Sequence, residues 1–487
     1  MREVLTYTCS KEAASLTQQL LLKENTDCIS FEVEGNEKLL SCIALFMRNE
    51  AGQVLFQRQL GTGENPVVLS SNRNACSYGG IPCTLTKGVY TVELVPFGEV
   101  LPYILEPMKI TIVCQTGAVS KRNASDKQVW MDLDGNLSGY DPDEMKRHYT
   151  GWYRGDFHCH TVLSDGHEEI EKQMFKAKLM NLDFYYATEH NLVPSSWCKT
   201  DLTVLCGIEI TTQAGHANIF GLRRRPSDCK ELYSDYKHAQ KQLVNALAEV
   251  KKDNCLISIN HPFLTPWAWL YGDMPIEDID CIEVINDPTF PDNHEANRKA
   301  VALIDRLWAD GWHVCGIGGS DTHALLHEWY TPDGGPSIVG DPTTSVYCRG
   351  LSENSVVSAL RRCNAVITRH CQMKLDLHIN GKEVIVGEEV TESGMIEIDV
   401  KLRHVDEPFM MYVVRDGIVE KVESTYDADY RTLSMNVKMP WSADGYHWLR
   451  IGAENGKHDC VLYTNPIYCG SKEHAYHTFQ EAGNGLF

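Results

Sequence analysis

In the run GDFHCHTVLSDG, His158 and His160 flank a single residue and Asp165 follows a few positions later. On an extended segment that spacing turns both imidazoles to one face, where they can reach the same metal ion, while Cys159 between them turns to the other and reads as packing. Further donors recur in order along the chain: His190 beside Glu189 at the end of DFYYATEH, Glu209 in VLCGIEITT, His216 in AGHANIFGL, His261 in SINHP, and Asp321 and His323 in GIGGSDTH. Singly, each reads as well as a packed or surface residue; jointly they fall where strand-like segments end. Imidazole and carboxylate donors suit zinc, manganese or iron. Water between two such ions is acidified toward hydroxide near neutral pH while the ions polarise a phosphoryl or carbonyl group, so hydrolysis is the expected chemistry.

Positioning such a set requires a particular scaffold. Between Trp152 and Gln372, segments with apolar residues at helical spacing (HEEIEKQMFKAKLMNL, SDYKHAQKQLVNALAEVKKDN, NHEANRKAVALIDRLWADG, SENSVVSALRRC) alternate with strand-like runs. Helix-then-strand order predicts a parallel sheet or barrel of βα units, whose strand ends converge on one mouth. To either side the pattern is strand-like throughout. CISFEVEG, LLSCIALFM, GQVLFQRQL, GVYTVELVPF and MKITIVC predict an N-terminal β-sandwich, followed by a polar, turn-rich connector over 115–151. After Met373 the helical pattern stops, and Asn380-Gly381, Asp416-Gly417 and Asn455-Gly456 mark hairpins of a second sandwich. The predicted organisation is 1–148 sandwich plus connector, 149–372 catalytic unit and 373–487 sandwich.

Composition narrows the partners. The 487 residues carry 66 acidic against 45 basic side chains, a net charge of −21, which speaks against nucleic acid as a main partner. No run reaches the ~20 apolar residues of a spanning helix and the N-terminus lacks an apolar leader, so no membrane role is expected and the chain reads as cytoplasmic. Its 18 cysteines are scattered without a C-x-x-C pair, in keeping with free thiols in a reducing compartment.

The ordered motifs from Gly155 to His323 resemble the PHP superfamily of metallohydrolases, named for polymerase and histidinol phosphatase. GIEITTQAGHANIFG, PTTSVYC and TNPIYC are most similar to the branch containing carbaryl hydrolase. The resemblance implies a distorted (β/α)7-type barrel and two or three divalent ions. His158, His160, Glu209 and Asp321 would hold the first; Glu209 would bridge to a second on His216 and His261; Asp165, His190 and His323 would hold a third. Glu209 and His323 thereby become the expected catalytic groups. Three divalent ions, the three carboxylates and one hydroxide leave the cluster near about +2, a match for a phosphate dianion; two ions, two carboxylates and a hydroxide leave about +1, better for a phosphodiester or neutral ester. The expectation is a hydrolase of a small-molecule ester that uses a metal-bridging hydroxide, phosphoester favoured. Carboxyl ester or carbamate hydrolysis at the same site is the alternative. A noncatalytic, metal-stabilised binding scaffold is the rival class, and the undiminished ligand set argues against it.

Neighbouring residues carry secondary expectations. Glu189 could orient a ligand or be a solvated carboxylate. Arg154 and the Arg223-Arg224-Arg225 run read as surface cations before they read as substrate binders. Trp267, Trp269 and Tyr271 could wall the pocket. The Gly/Pro-rich loop after His323 could form a lid carrying His327 as proton donor. The sandwiches would frame the mouth or mediate homo-oligomerisation.

Overall fold

In a computed structural model the described residues are 1–117, 126–227, 229–332 and 334–486; part of the predicted connector and Asp333 of the predicted lid lie outside them. The chain is a sheet-rich, multidomain α/β protein with sandwich-like flanks.

The N-terminal part pairs two four-stranded sheets around one apolar core. Arg2–Cys9, Cys28–Glu34, Val67–Ser70 and Met108–Thr116 form one; Leu16–Leu22, Ile43–Arg48, Val54–Gln59 and Gly88–Pro96 form the other. Alternation drives the layering, as in Arg2–Cys9, where Leu5, Tyr7 and Cys9 are buried and their neighbours are not. Leu39 and Leu40 leave the expected strand for a short helix, Glu37–Leu40, because the Asn36 side chain caps it by accepting from the Leu39 N–H.

The centre is built on a 14-stranded sheet that is mixed rather than parallel. Arg147–Asp156, Phe184–Ala187 and Thr203–Thr212 run parallel, as do Leu256–Ile259, Cys281–Asn286 and Cys315–Gly319. Gly215–Phe220, however, pairs antiparallel with both Thr203–Thr212 and Leu256–Ile259. The link from Thr212 to Gly215 is too short for a crossover and can only make a hairpin. The predicted helices form at Ile170–Leu179, Ala239–Lys252, Asn293–Ala309 and Glu353–Arg361. The Cys315–Gly319 edge of the sheet comes back against its middle strands: Cys159 bridges Thr322 in parallel, and the Thr344 hydroxyl bonds both the N–H and the C=O of Gly318 at 2.9 and 2.8 Å. Gly319 permits this closure, since a Cβ there would lie 2.3 Å from that of His158.

The same sheet continues past residue 372, where Cys460–Thr464 pairs with Ala365–Thr368. A separate five-stranded sheet, centred on Gly394–Arg403, covers this extension and encloses the C-terminal core. Asn380-Gly381 and Asp416-Gly417 take the left-handed conformation of two-residue hairpins. Asn455-Gly456 instead opens a longer loop, with the left-handed residue at His458 and the Asn455 carboxamide holding the Lys457 and Asp459 N–H groups. Helical structure does return: Phe479–Gly483 is fixed by reciprocal capping between Thr478 and Glu481 and packs on the central core.

Candidate metal centre

The central strands deliver the predicted donors to one end of the sheet. His158 and His160 follow the strand Arg147–Asp156, His190 follows Phe184–Ala187, His261 follows Leu256–Ile259, and Asp321 and His323 follow Cys315–Gly319. Glu209 lies within its strand, and His216 lies at the start of the antiparallel return strand, where Thr211 pairs with it. The hairpin thus converts a strand beginning into the equivalent of a strand end. His261 and Asp321 take left-handed backbone conformations, φ 28° and 46°, that turn their side chains into the cluster.

Four overlapping groups have ligand atoms close enough to share an ion: His158, His160 and Asp321; His158, Glu209 and His261; His190, Glu209 and His216; and His160, Asp165, His190 and His323. His158 Nε2 and His160 Nε2 both approach Asp321 Oδ1 at 3.2 Å. The carboxylate of Glu209 is central: Oε1 lies 3.3 Å from His158 Nε2 and 3.1 Å from His216 Nδ1, while Oε2 lies 2.5 Å from His190 Nδ1. His261 Nε2 is farther, at 3.8 Å from Oε1. Asp165 Oδ1 faces His190 and His323 at 3.4 and 3.2 Å. All the residues expected from sequence to bind metal are therefore together. The grouping is tighter than expected around the third set, which His160 joins, and His216 and His261, expected on one ion with Glu209, fall in separate groups although both approach its Oε1.

The donor atoms fit cations better than they fit one another. His158 Nε2, His160 Nε2, Asp165 Oδ1 and His261 Nδ1 are buried with no hydrogen-bond partner, an arrangement that is costly unless something else fills it. These clusters could hold metal ions. Electrostatics point the same way. Burial opposes the charge on Glu209, yet His190, His216 and His158 hold it well below the usual carboxylate range. Burial lowers His190 and His323, but Asp165 and its carboxylate neighbours raise them to about 9 and about 10. Burial, reinforced by His190 and His323, lowers His160 to about 3.

Supporting residues not expected from sequence surround the donors. Glu283, buried in Cys281–Asn286, accepts from His158 Nδ1 at 3.1 Å, the His261 N–H at 2.9 Å and Asn286 Nδ2 at 3.0 Å. Asn260 Nδ2 donates to Glu209 Oε1 at 2.9 Å, and Thr211 Oγ1 to Glu209 Oε2 at 3.1 Å. The signal for Glu283 was present in CIEVIN, a carboxylate in an otherwise apolar run. Glu189 is fully buried; burial pushes it up to about 7, although Ser164, Thr161 and the Thr161 N–H donate to it. It organises the loop after His160, whose Nδ1 lies 3.4 Å from the same Ser164 hydroxyl.

A cavity of about 290 Å³ opens on the cluster, lined by Trp267, Leu264, Phe290 and Tyr330 opposite His261, Asp321 and His323. A second lobe of about 120 Å³ adds Phe97 and Glu99 from the N-terminal sandwich. Trp267, 43% exposed, is the member of its aromatic trio that reaches the mouth; Trp269 is buried and Tyr271 packs against the core. His327 lies exposed on its loop, apart from the cluster and from the lining of either lobe. Arg154 is half-buried and bonds Thr343, because its strand lies inside the sheet. Arg223 and Arg224 pair with Glu353 and Asp253, away from the cavity. Among the described residues no helix is long and apolar enough to cross a membrane.

No protein-family model matches the chain, and no curated protein does. Among solved structures, a β-glucosidase from Kluyveromyces marxianus is 12% identical over 93% of this chain and 44% of that one, with a TM-score of 0.13. A β-glucuronidase from Bacteroides uniformis is 10% identical over 97% and 61%, with a TM-score of 0.18. The chain spans less than two thirds of either protein, and likeness at this level carries no argument about fold or activity.

Proposed function

We propose that the chain is a multinuclear metal-dependent hydrolase of ester bonds, built on a PHP-type barrel and related to the carbaryl hydrolase branch. The observation that carries this reading is the convergence of His158, His160, His190, His216, His261 and His323 on Asp165, Glu209 and Asp321, with buried donor atoms left unpaired. Divalent zinc, manganese or iron bound there would acidify water and polarise the scissile group. The chain's own contribution is positional. Glu209 links the donor groups, Glu283 holds His158 and the His261 backbone, and Trp267, Phe290 and Tyr330 form an apolar wall that excludes water from one side of the substrate.

The lining also bears on the substrate. Among its described residues neither lobe has a lysine or arginine, whereas Asp287, Glu99 and Asp235 are present. A phosphate dianion would find no protein cation, so this observation favours a phosphodiester or an uncharged carboxyl ester or carbamate over a monoester. The test is an assay of metal-reconstituted protein on nitrophenyl phosphate, bis-nitrophenyl phosphate and nitrophenyl acetate, with bound metal counted. Turnover of the diester is expected to exceed that of the monoester. Turnover of the acetate alone selects the carboxyl ester or carbamate reading over the phosphodiester, monoester turnover above that of the diester overturns the substrate reading, and a metal count near zero overturns the enzyme reading.

A further inference from the structure

The N-terminal sandwich presents an unusual strand to the metal centre. Val54–Gln59 is the edge of its sheet, yet Gln57, Arg58 and Gln59 are all buried, at 4%, 2% and 2% exposure. Buried polar side chains on a strand edge are retained where they have hydrogen bonds to make. Here several of those bonds reach the backbone beside Asp165 and His190. The Gln59 N–H donates to the Leu163 C=O at 3.1 Å, and Thr62 Oγ1 donates to the Ser164 C=O at 3.1 Å, immediately before Asp165. Gln57 Nε2 donates to the Asn191 C=O at 2.8 Å, immediately after His190. Arg58 fixes the turn that presents Thr62, donating to its C=O at 2.7 Å.

A second link reaches His190 through Tyr233, on the central helix Cys229–Ser234, which packs against Phe46, Val54 and Val95 of the sandwich. Tyr233 Oη donates to the His190 C=O at 2.8 Å. The Tyr233 ring stacks on Phe97 at 5.2 Å, and its C=O accepts from the Gly98 N–H at 2.8 Å. By contrast, Glu283 and Asn286 hold His158, His261 and Asp321 from within the central sheet.

Resting on the reading of these clusters as metal sites, we infer that the N-terminal sandwich is the positioning element of the third site. It fixes the two loops whose Asp165 and His190 converge with His323, while the sites around Glu209 and Asp321 are framed by the central sheet. Gln57, Thr62 and Tyr233 act through backbone carbonyls next to the ligands and touch no ion themselves. Metal geometry tolerates little displacement, so loosening these pegs lowers affinity most at the third site, where both pegged loops supply ligands, and less at the Glu209 group, which His190 alone shares.

The experiment uses the full-length metal-free chain titrated with cobalt(II), read by visible absorption and by the metal bound per chain. Wild type is expected to take up three equivalents. In Gln57→Met/Thr62→Val the weakest equivalent should bind at least about 10-fold less tightly, with the other two weakened clearly less. Thr62→Ser, which keeps the hydroxyl, should bind as wild type. If the double variant does not fold, Thr62→Val alone is compared with Thr62→Ser. Equal weakening of all equivalents, unchanged affinity in the valine variant, or a wild type that binds only two overturns the inference. A wild type that binds none overturns the metal reading beneath it.

Discussion

His190 and His323 face each other through their Nε2 atoms at 3.4 Å, with Asp165 Oδ1 within reach of both. Two ring nitrogens pointed at one another suit a shared cation. Without one, the surrounding carboxylates keep His158, His190 and His323 protonated, while His160 and His216 are shifted down.

Metal uptake near pH 7 should therefore release about two to three protons per fully loaded chain, because imidazoles bind metal only when neutral. Affinity should rise with pH through the range where those groups titrate. Calorimetric titration of the metal-free chain in buffers of differing ionisation enthalpy measures the count. Release of no protons would contradict the electrostatics of the cluster.

Glu209 and Asp165 differ in reach, and their variants should differ accordingly. Glu209 touches His158, His190 and His216, so Glu209→Gln is expected to cost both ions it would join and more than about 100-fold in turnover. Asp165 touches His190 and His323, so Asp165→Asn should lower the metal count by the third ion alone. Metal analysis of the two variants side by side checks both.

Much of this site was legible because its donors occur in order, in short motifs that each end a strand-like run. The central helices were equally legible from their 3.6-residue periodicity. What sequence concealed depended on pairing. The parallel βα expectation failed at Thr203–Phe220, where a tight hairpin places His216 beside Thr211. The T-x-x-E cap of Phe479–Gly483 was readable but sits in a strand-rich region. The strand-like run GQVLFQRQL predicts a sandwich strand, but the burial of Gln57, Arg58 and Gln59 together follows from docking that no local pattern encodes.

Glu283 offers a test of the support behind the ligands. It bonds the free ring nitrogen of His158 and the backbone of His261, so it orients two donors at once. Glu283→Ala should weaken metal binding roughly 10- to 100-fold, the range for outer partners of metal ligands. Glu283→Gln retains an acceptor for the His261 N–H and should lose less. Competitive chelator titration reads both values, and wild-type affinity in the alanine variant would contradict the role.

Trp267 tests the substrate wall. It lines both lobes of the cavity and lies edge-to-face near Phe290, 6.4 Å between ring centres. Trp267→Ala should lower kcat/KM on aryl esters roughly 5-fold, the equivalent of about 1 kcal/mol of lost aromatic packing, mainly through KM. The metal count should stay at the wild-type value. A fall in bound metal would place Trp267 in the architecture of the centre instead.

Glu353, remote from the metal centre, makes a prediction about stability. It is 1% exposed at the start of Glu353–Arg361; burial pushes its carboxyl up to about 8, against the opposing pull of Arg223 at 2.9 Å. Tyr140, hydrogen-bonded nearby, Tyr186, Cys206 and Cys255 are further titratable groups around it. Because the folded value lies above the unfolded one, the folded chain binds more protons between about pH 4.5 and pH 8. The stability this group contributes is complete below that window and is lost as pH rises through about 8. The loss is bounded by about 5 kcal/mol, from the separation of the two values. Glu353→Gln keeps an acceptor for Arg223 and cannot ionise, so its stability should fall less between pH 5 and pH 9. Urea unfolding of the two chains at both pH values, with metal saturating, decides it: parallel pH dependence would show that Glu353 stays ionised beside Arg223.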